Sequence, residues 1–180
     1  NCQIIYRPHP WGRGGYKGYR ILKNNWKNIV IDPTMINYLK NINNKDFSIN
    51  LSDYKNTRYL LSNVDSVVSP LSTIIIESAI LGKPSICFVP NDETSTQHLQ
   101  HLDVTKNSYH FKDMYISDYF LFSKSLAEME NMINELIKRS QNIKFISELK
   151  KEAEYFVANF DNSFSSRLLD FCNKIKNIKK

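Results

Sequence analysis

The chain contains little cysteine, and it has no long apolar run. Only three of its 180 residues are cysteines, and their spacing fits neither a disulfide framework nor a metal site. This composition favours a reducing, cytoplasmic location. No stretch approaches the roughly 18 apolar residues of a transmembrane helix, and no signal peptide is recognisable, so we expect neither feature. Cys87 lies in an apolar strand and Cys172 on an apolar helix face, and we expect both thiols to be buried.

Glycine is also scarce, and four of the five glycines fall in one segment, 12–18. Their spacing matches neither the dinucleotide fingerprint nor the phosphate loop of nucleotide hydrolases. We interpret the segment as a mobile basic loop, whose aromatic side chains either stack on a base or sugar or anchor the loop on the domain. The net charge of +6 is compatible with an anionic ligand, a nucleic acid or an acidic membrane surface.

The most informative segment runs from Ser66 to Phe88 and predicts a buried strand, a short helix and a second buried strand. Ser72 and Thr73 stand at the predicted helix start, where their side-chain oxygens would cap free N–H groups. A helix that begins at the carboxyl end of a parallel strand suits a phosphate, and Glu77, one turn further, suits ribose hydroxyls. The alternative, in which Ser72 and Thr73 only cap the helix and Glu77 faces water, stays open.

Gly82 and Pro84 predict the end of this helix.

A second informative segment follows the first predicted strand. Arg7 and His9 come directly after it, and Pro8 and Pro10 restrict the backbone on both sides of the imidazole. Such a histidine suits a positioned hydrogen-bond donor, and Arg7 adds a permanent positive charge. A stiff surface turn with an incidental histidine is the alternative.

Strands and helices alternate along the chain, which predicts an α/β fold with a doubly wound, Rossmann-like parallel sheet in a single domain, residues 1–180. The predicted strands are Gln3–Tyr6, Asn28–Ile31, Phe47–Ile49, Ser66–Ser69 and Ser85–Val89. A helix after Ser52 and Asp53 should place four residues on one face: Tyr54, Thr57, Leu61 and Val64.

Three further helices are expected in the C-terminal part. Ser125 and Glu128 form a capping box. The inward faces of the three helices are, in order, Leu126, Met129, Ile133 and Leu136; Ile146, Leu149, Ala153 and Phe156; and Phe164, Leu168, Phe171 and Ile175. The polar segment 90–110 should line a ligand crevice, with His98 and His101 near the ligand or in solvent. The pair His98 and His101 lacks the further ligands of a zinc site, so we expect no metal.

Together these motifs give a resemblance. Arg7-Pro-His-Pro10, then Ser72-Thr73 with Glu77 and Gly82-Lys-Pro84, resemble the C-terminal half of GT-B-fold transferases that build bacterial surface polysaccharides. The nearest groups are CDP-glycerol glycerophosphotransferases and the sialyl- and Kdo-type transferases with a His-Pro motif. Many glycerophosphotransferases carry Asp-Tyr-Ser-Ser where this chain has Ser69-Pro-Leu-Ser-Thr73, which favours a nucleotide sugar as donor.

The resemblance implies a metal-independent glycosyltransferase without a cofactor. Arg7 and His9 would be catalytic and stabilise the leaving nucleotide, while Ser72, Thr73, Glu77 and His98 would bind the nucleotide-activated donor. The acceptor would be a polysaccharide or a lipid-linked sugar, with peripheral contact at the inner face of the membrane. Because the chain begins at Asn1, without Met, we expect a fragment whose missing N-terminal domain supplies the general base.

Two other functions remain open at this stage. A nucleotide-sugar epimerase, of the UDP-N-acetylglucosamine 2-epimerase type, would need acid and base carboxylates in this half, and no convincing set is visible. An RNA-binding module is compatible with the positive charge and with Arg13-Gly14-Gly15-Tyr16, but the aromatic sheet signature of common RNA modules is absent. We therefore expect no nucleic-acid partner.

Overall fold

The computed structural model describes residues 2–8, 26–41, 54–91, 101–109, 111–157 and 162–178. The chain divides into two compact units, Asn1–Leu60 and Leu61–Lys180. Both units have α/β structure with parallel strands. In the part of the chain that is described, no helix is long and apolar enough to cross a membrane.

The first unit contains a two-stranded parallel sheet. Strand β1 (Ile4–Tyr6) pairs with β2 (Ile29–Ile31), and Ile4 lies opposite Ile29. Helix α1 (Pro33–Asn41) follows β2 after one residue, and α2 (Tyr54–Ser62) crosses the boundary between the units in the sequence.

The second unit is built on a three-stranded parallel sheet in the order β3-β4-β5. Its elements are β3 (Val67–Pro70), α3 (Thr73–Ile80), β4 (Ser85–Phe88), α4 (Leu102–Thr105), a 3-10 turn (Lys112–Ile116), β5 (Leu121–Ser123), α5 (Leu126–Gln141), α6 (Ile143–Phe156) and α7 (Phe164–Ile178). Because all three strands are parallel, their carboxyl ends meet at one edge of the sheet.

Strand β4 lies at the centre of the sheet and is buried on both faces. Ile86 and Cys87 are fully buried although neighbouring strand residues point to opposite faces. The main core cluster joins the Cys87 side of β4 to α3, α6 and the segment before β5. Its members are Leu71, Ile75, Ala79, Cys87, Val89, Met114, Phe120, Leu149 and Ala153.

Helix α3 ends at a Schellman motif that brings it against α6. Gly82 has a φ of +70°, its N–H donates to the carbonyl of Ala79, and the N–H of Lys83 donates to the carbonyl of Ser78. The prediction that Gly82 ends this helix is confirmed. A Cβ on Gly82 would lie within 2.8 Å of a side-chain methyl of Ile146, so α3 and α6 approach closely here because residue 82 has no side chain.

The prediction of parallel strands alternating with helices is confirmed for four of the predicted strands, with ends shifted by one residue. Strand β5 was not predicted. The segment Phe47–Ile49 and the cap at Ser52 and Asp53 lie outside the described residues.

Several predicted faces are wrong. Leu126 is 78% exposed and Ile133 is 41% exposed, so α5 buries only the Leu136 end of its predicted inward face. Cys172 is exposed on α7, because none of the described elements covers that side of the helix.

Helix α2 also differs from its predicted face. It ends at Ser62, before Val64, and Tyr54 is exposed while Leu61 is buried. The predicted face of α6 is confirmed, since Leu149 and Ala153 are buried and Phe156 packs against the same core.

Candidate functional site

The carboxyl edge of the β3-β4-β5 sheet is the candidate site. After β3 the chain enters α3 through Leu71 and Ser72, and after β5 it enters α5 through Lys124 and Ser125. The ends of β4 and β5 are tied together, because the N–H of Asn91 donates to the carbonyl of Lys124. Loops at such an edge line the ligand crevice in open α/β sheets.

The N-terminus of α3 lacks the side-chain cap that the sequence predicted. Ser72 occupies the N-cap position in extended conformation, but its hydroxyl accepts no hydrogen bond from the helix. Instead its Oγ lies 3.5 Å from the Oγ of Ser69, at the end of β3. The N–H of Ile75 donates to the carbonyl of Ser72. No described residue accepts from the N–H groups of Thr73 or Ile74, which leaves donors at this end.

The neighbouring helix α5 has a side-chain cap at Ser125. Ser125 Oγ accepts from the N–H of Glu128 at 3.4 Å, and Glu128 Oε2 accepts from the N–H of Lys124 at 2.7 Å. The predicted cap by Ser125 is therefore confirmed, whereas Glu128 accepts from the N–H of Lys124 instead of that of Ser125. Ser125 satisfies one amide of this terminus, the N–H of Glu128. Glu128 already places a carboxylate there, so this terminus is unsuited to a second anion.

Thr73 and Glu77 lie on one side of α3, since they are four residues apart. This side is opposite the buried residues Ile75 and Ala79. Glu77 is half-buried, and it stands about 7.5 Å along the helix axis from Ser72, at 1.5 Å per residue. Ser72, Thr73 and Glu77 therefore lie within about one and a half turns of the start of α3. His98 lies outside the described residues.

His101 is the histidine that the structure describes near this edge. It is fully buried and caps α4: its Nδ1 accepts from the N–H of Asp103 at 3.1 Å. An Nδ1 that accepts carries no proton, so the proton of the neutral ring lies on Nε2. Asp103 in turn pairs with Lys106 at 2.7 Å, and the hydrogen bond and charge of Lys106 lower the pKa of that carboxyl.

A second polar cluster lies in the first unit, at the carboxyl edge of β1 and β2. Arg7 follows β1 and Asp32 follows β2, and Arg7 Nε lies 3.4 Å from Asp32 Oδ2. Asp32 is buried and caps α1. Its Oδ1 accepts from both the N–H and the hydroxyl of Thr34. Arg7 Nη1 is buried with no hydrogen-bond partner among the described residues. His9 lies outside the described residues.

Sequence reasoning missed Asp32, although a signal was present. The run Asp32-Pro33-Thr34 after an apolar strand is typical of an N-cap followed by proline in the first helical position. Ser69 was also missed as the neighbour of Ser72.

Within the described ranges, no three histidine, cysteine, aspartate or glutamate side chains are grouped as metal ligands would be. Comparison with known proteins found no matching family model, no similar curated protein and no similar solved structure.

Proposed function

We propose that the chain is the donor-binding part of a GT-B-type glycosyltransferase with a Rossmann-like fold. It would transfer a sugar from a nucleotide-activated donor to a bacterial surface polysaccharide or a lipid-linked acceptor. The proposal extends the resemblance of the Arg7–Pro10 and Ser72–Pro84 motifs, and it assigns the donor phosphates to the N-terminus of α3.

The observation that carries the proposal is the uncapped start of α3. The main-chain N–H groups of Thr73 and Ile74 have no acceptor among the described residues, while the hydroxyls of Ser69 and Ser72 stand beside them. Amides at a helix N-terminus, with the partial positive charge of the helix dipole, bind phosphate oxygens. An external phosphate would satisfy the donors that Ser72 leaves open.

Glu77 fits the same ligand because of its position. It shares a side of α3 with Thr73 and is separated from the helix start by about one and a half turns. A nucleoside phosphate with its phosphates at Thr73 extends over a comparable distance, so a ribose hydroxyl can donate to Glu77. The resemblance of the Arg7–Pro10 motif assigns stabilisation of the leaving nucleotide to Arg7 and His9, and this part of the proposal rests on the sequence motif alone.

Substitutions at Ser72 test this assignment against a matched position on α5. Ser72→Asp supplies both the missing cap and a negative charge, so it should raise the stability of the free chain by about 0.5–1 kcal/mol. The same carboxylate should abolish nucleotide binding by repelling the phosphates. Ser125→Ala removes a cap that does exist, and it should cost about 1 kcal/mol of stability while leaving nucleotide binding unchanged.

The measurement is thermal unfolding of the 180-residue chain with CMP, CDP, UDP and GDP. A nucleotide at 100 times its dissociation constant should stabilise the chain by about 2.7 kcal/mol. Glu77→Gln should reduce that stabilisation while the free chain unfolds normally. If a nucleotide stabilises Ser72→Asp as much as the unsubstituted chain, the phosphates do not bind at the start of α3. If the chain prefers RNA and binding weakens steeply with salt, an RNA-binding function is favoured instead.

A further inference from the structure

Helix α7 carries a continuous apolar stripe that other described elements do not cover. Phe164, Leu168, Phe171 and Ile175 recur at helical spacing and so lie on one face. All four are exposed, Phe164 to 71% and Phe171 to 60%. Large apolar side chains grouped on one uncovered face mark a surface for association rather than scattered exposure.

Basic side chains border this stripe. At 100° per residue, Arg167 and Lys174 fall along one margin of the stripe, Lys176 lies on the other side beyond Cys172, and Asp170 lies on the polar side. Lys174 and Lys176 are exposed, whereas the Nε of Arg167 is buried. These three cations and one carboxylate give α7 a net charge of +2. The sequence continues with Lys179 and Lys180. An apolar face between basic margins is the pattern of helices that lie in the interface of an anionic membrane.

We propose that α7 binds the surface of an anionic lipid bilayer, with its apolar stripe in the headgroup region and its basic margins on lipid phosphates. At 1.5 Å per residue, α7 is about 22 Å long, shorter than the roughly 30 Å hydrocarbon core, so it lies along the surface. Phenylalanine and leucine supply the apolar contact, and long basic side chains reach the phosphates while their methylene stems stay near the apolar stripe.

Charge and area favour lipid over a second copy of the chain. Two α7 helices packed face to face would bring the margins of Arg167, Lys174 and Lys176 against like charges. A strip about 22 Å long and one helix wide is also well below the roughly 800 Å² per partner that a stable dimer buries. An anionic bilayer has neither disadvantage, since it is negatively charged and accepts an apolar strip of any size.

The first test is co-sedimentation of the 180-residue chain with vesicles. Vesicles of phosphatidylcholine and phosphatidylglycerol should bind the chain, and vesicles of phosphatidylcholine alone should bind it at least tenfold more weakly. Because each basic residue near an anionic surface contributes several-fold to the affinity, Lys174→Gln with Lys176→Gln should weaken binding by roughly tenfold or more. Both side chains are exposed, so the double variant should fold normally.

A matched apolar control exists on α5. Leu168→Ser with Phe171→Ser should weaken vesicle binding by about a hundredfold, since it removes two large apolar groups. Ile133 and Ile137 are comparably exposed, at 41% and 42%, but α5 carries three glutamates against one lysine and one arginine. Ile133→Ser with Ile137→Ser should therefore leave vesicle binding unchanged.

Cys172 provides a local readout of where α7 lies. It is exposed on α7 next to the apolar stripe, whereas Cys87 is buried. In a Cys2→Ser variant, a polarity-sensitive fluorophore attached to Cys172 should shift its emission to the blue on anionic vesicles and remain unshifted on neutral ones.

Three results would overturn the proposal. These are equal binding to neutral and anionic vesicles, no binding to either, and a dimer in sedimentation velocity that Leu168→Ser with Phe171→Ser dissociates. The proposal is independent of the donor site, so a failure of nucleotide binding leaves it standing.

Discussion

Gly82→Ala perturbs the closest approach between α3 and α6. Residue 82 has a φ of +70°, in the left-handed region that alanine adopts at a cost of about 1–2 kcal/mol. The added methyl would also stand 2.5 Å from Lys150 Cε and 2.8 Å from Ile146 Cγ2. Both distances are too short for carbon atoms, so at least one neighbour must move.

The two neighbours differ in how easily they move. Lys150 is exposed and its Cε lies near the end of a flexible chain, so it swings away at little cost. Ile146 is half-buried and branched at Cβ, and its methyl moves only with the side chain or with α6. Overpacking of this kind costs about 1–3 kcal/mol. Together with the backbone cost, Gly82→Ala should lower the free energy of unfolding by about 3 kcal/mol.

Urea unfolding followed by far-UV circular dichroism measures this loss. A double-mutant cycle with Ile146→Ala separates its two parts, because Ile146→Ala removes the methyl that clashes but leaves the backbone cost. The cycle should return a favourable coupling of about 1 kcal/mol or more. A loss below about 0.5 kcal/mol would refute the backbone argument, since alanine at positive φ cannot be free of cost. If residues 82 and 146 show no coupling energy, the argument that the Gly82→Ala methyl clashes with Ile146 is refuted.

Local signals in the sequence predicted the ends of helices well. The motif Gly82-Lys83-Pro84 ends α3 because the conformation it requires depends on residues next to each other. Ser125 caps the N–H of Glu128 for the same reason. Short-range chemistry of this kind is readable from a single sequence.

Predictions of which helix faces are buried were wrong more often, because burial depends on whether another element packs against the face. Leu126 and Ile133 have the periodicity of a buried face, yet periodicity cannot say whether another element arrives to cover it. Cys172 was placed on the correct apolar face of α7, and that face is exposed. Strand β5 is as short as β1 and β2, but its residues Leu121 to Ser123 include none of the β-branched residues that indicated those two strands.

The candidate site was only partly readable. Ser72 was placed correctly at the start of α3, but its hydroxyl faces Ser69 instead of the helix amides. A serine at an N-cap position has several rotamers, and the choice among them depends on the preceding strand end. Because of that difference the N–H groups of Thr73 and Ile74 have no side-chain acceptor among the described residues, and the proposed donor site depends on this feature.

Two further predictions concern buried groups away from α3. Asp32→Asn keeps the cap on Thr34 but removes the charge facing Arg7 Nε, so urea unfolding should show a loss of about 1–3 kcal/mol. If the free energy of unfolding is unchanged in Asp32→Asn, the ion pair between Arg7 Nε and Asp32 Oδ2, 3.4 Å apart, contributes nothing to stability.

Burial raises the pKa of Cys87 from 9.0 to about 12, so the unfolded chain ionises this thiol first. Its contribution is therefore complete below pH 9.0 and is lost as pH rises towards 12. Between pH 9 and 10 the unsubstituted chain should lose about 1 kcal/mol more stability than Cys87→Ala, because one pKa unit corresponds to about 1.4 kcal/mol. Parallel pH profiles of the two chains would show that the thiol ionises equally easily in the folded and unfolded states, which a fully buried sulfur does not permit.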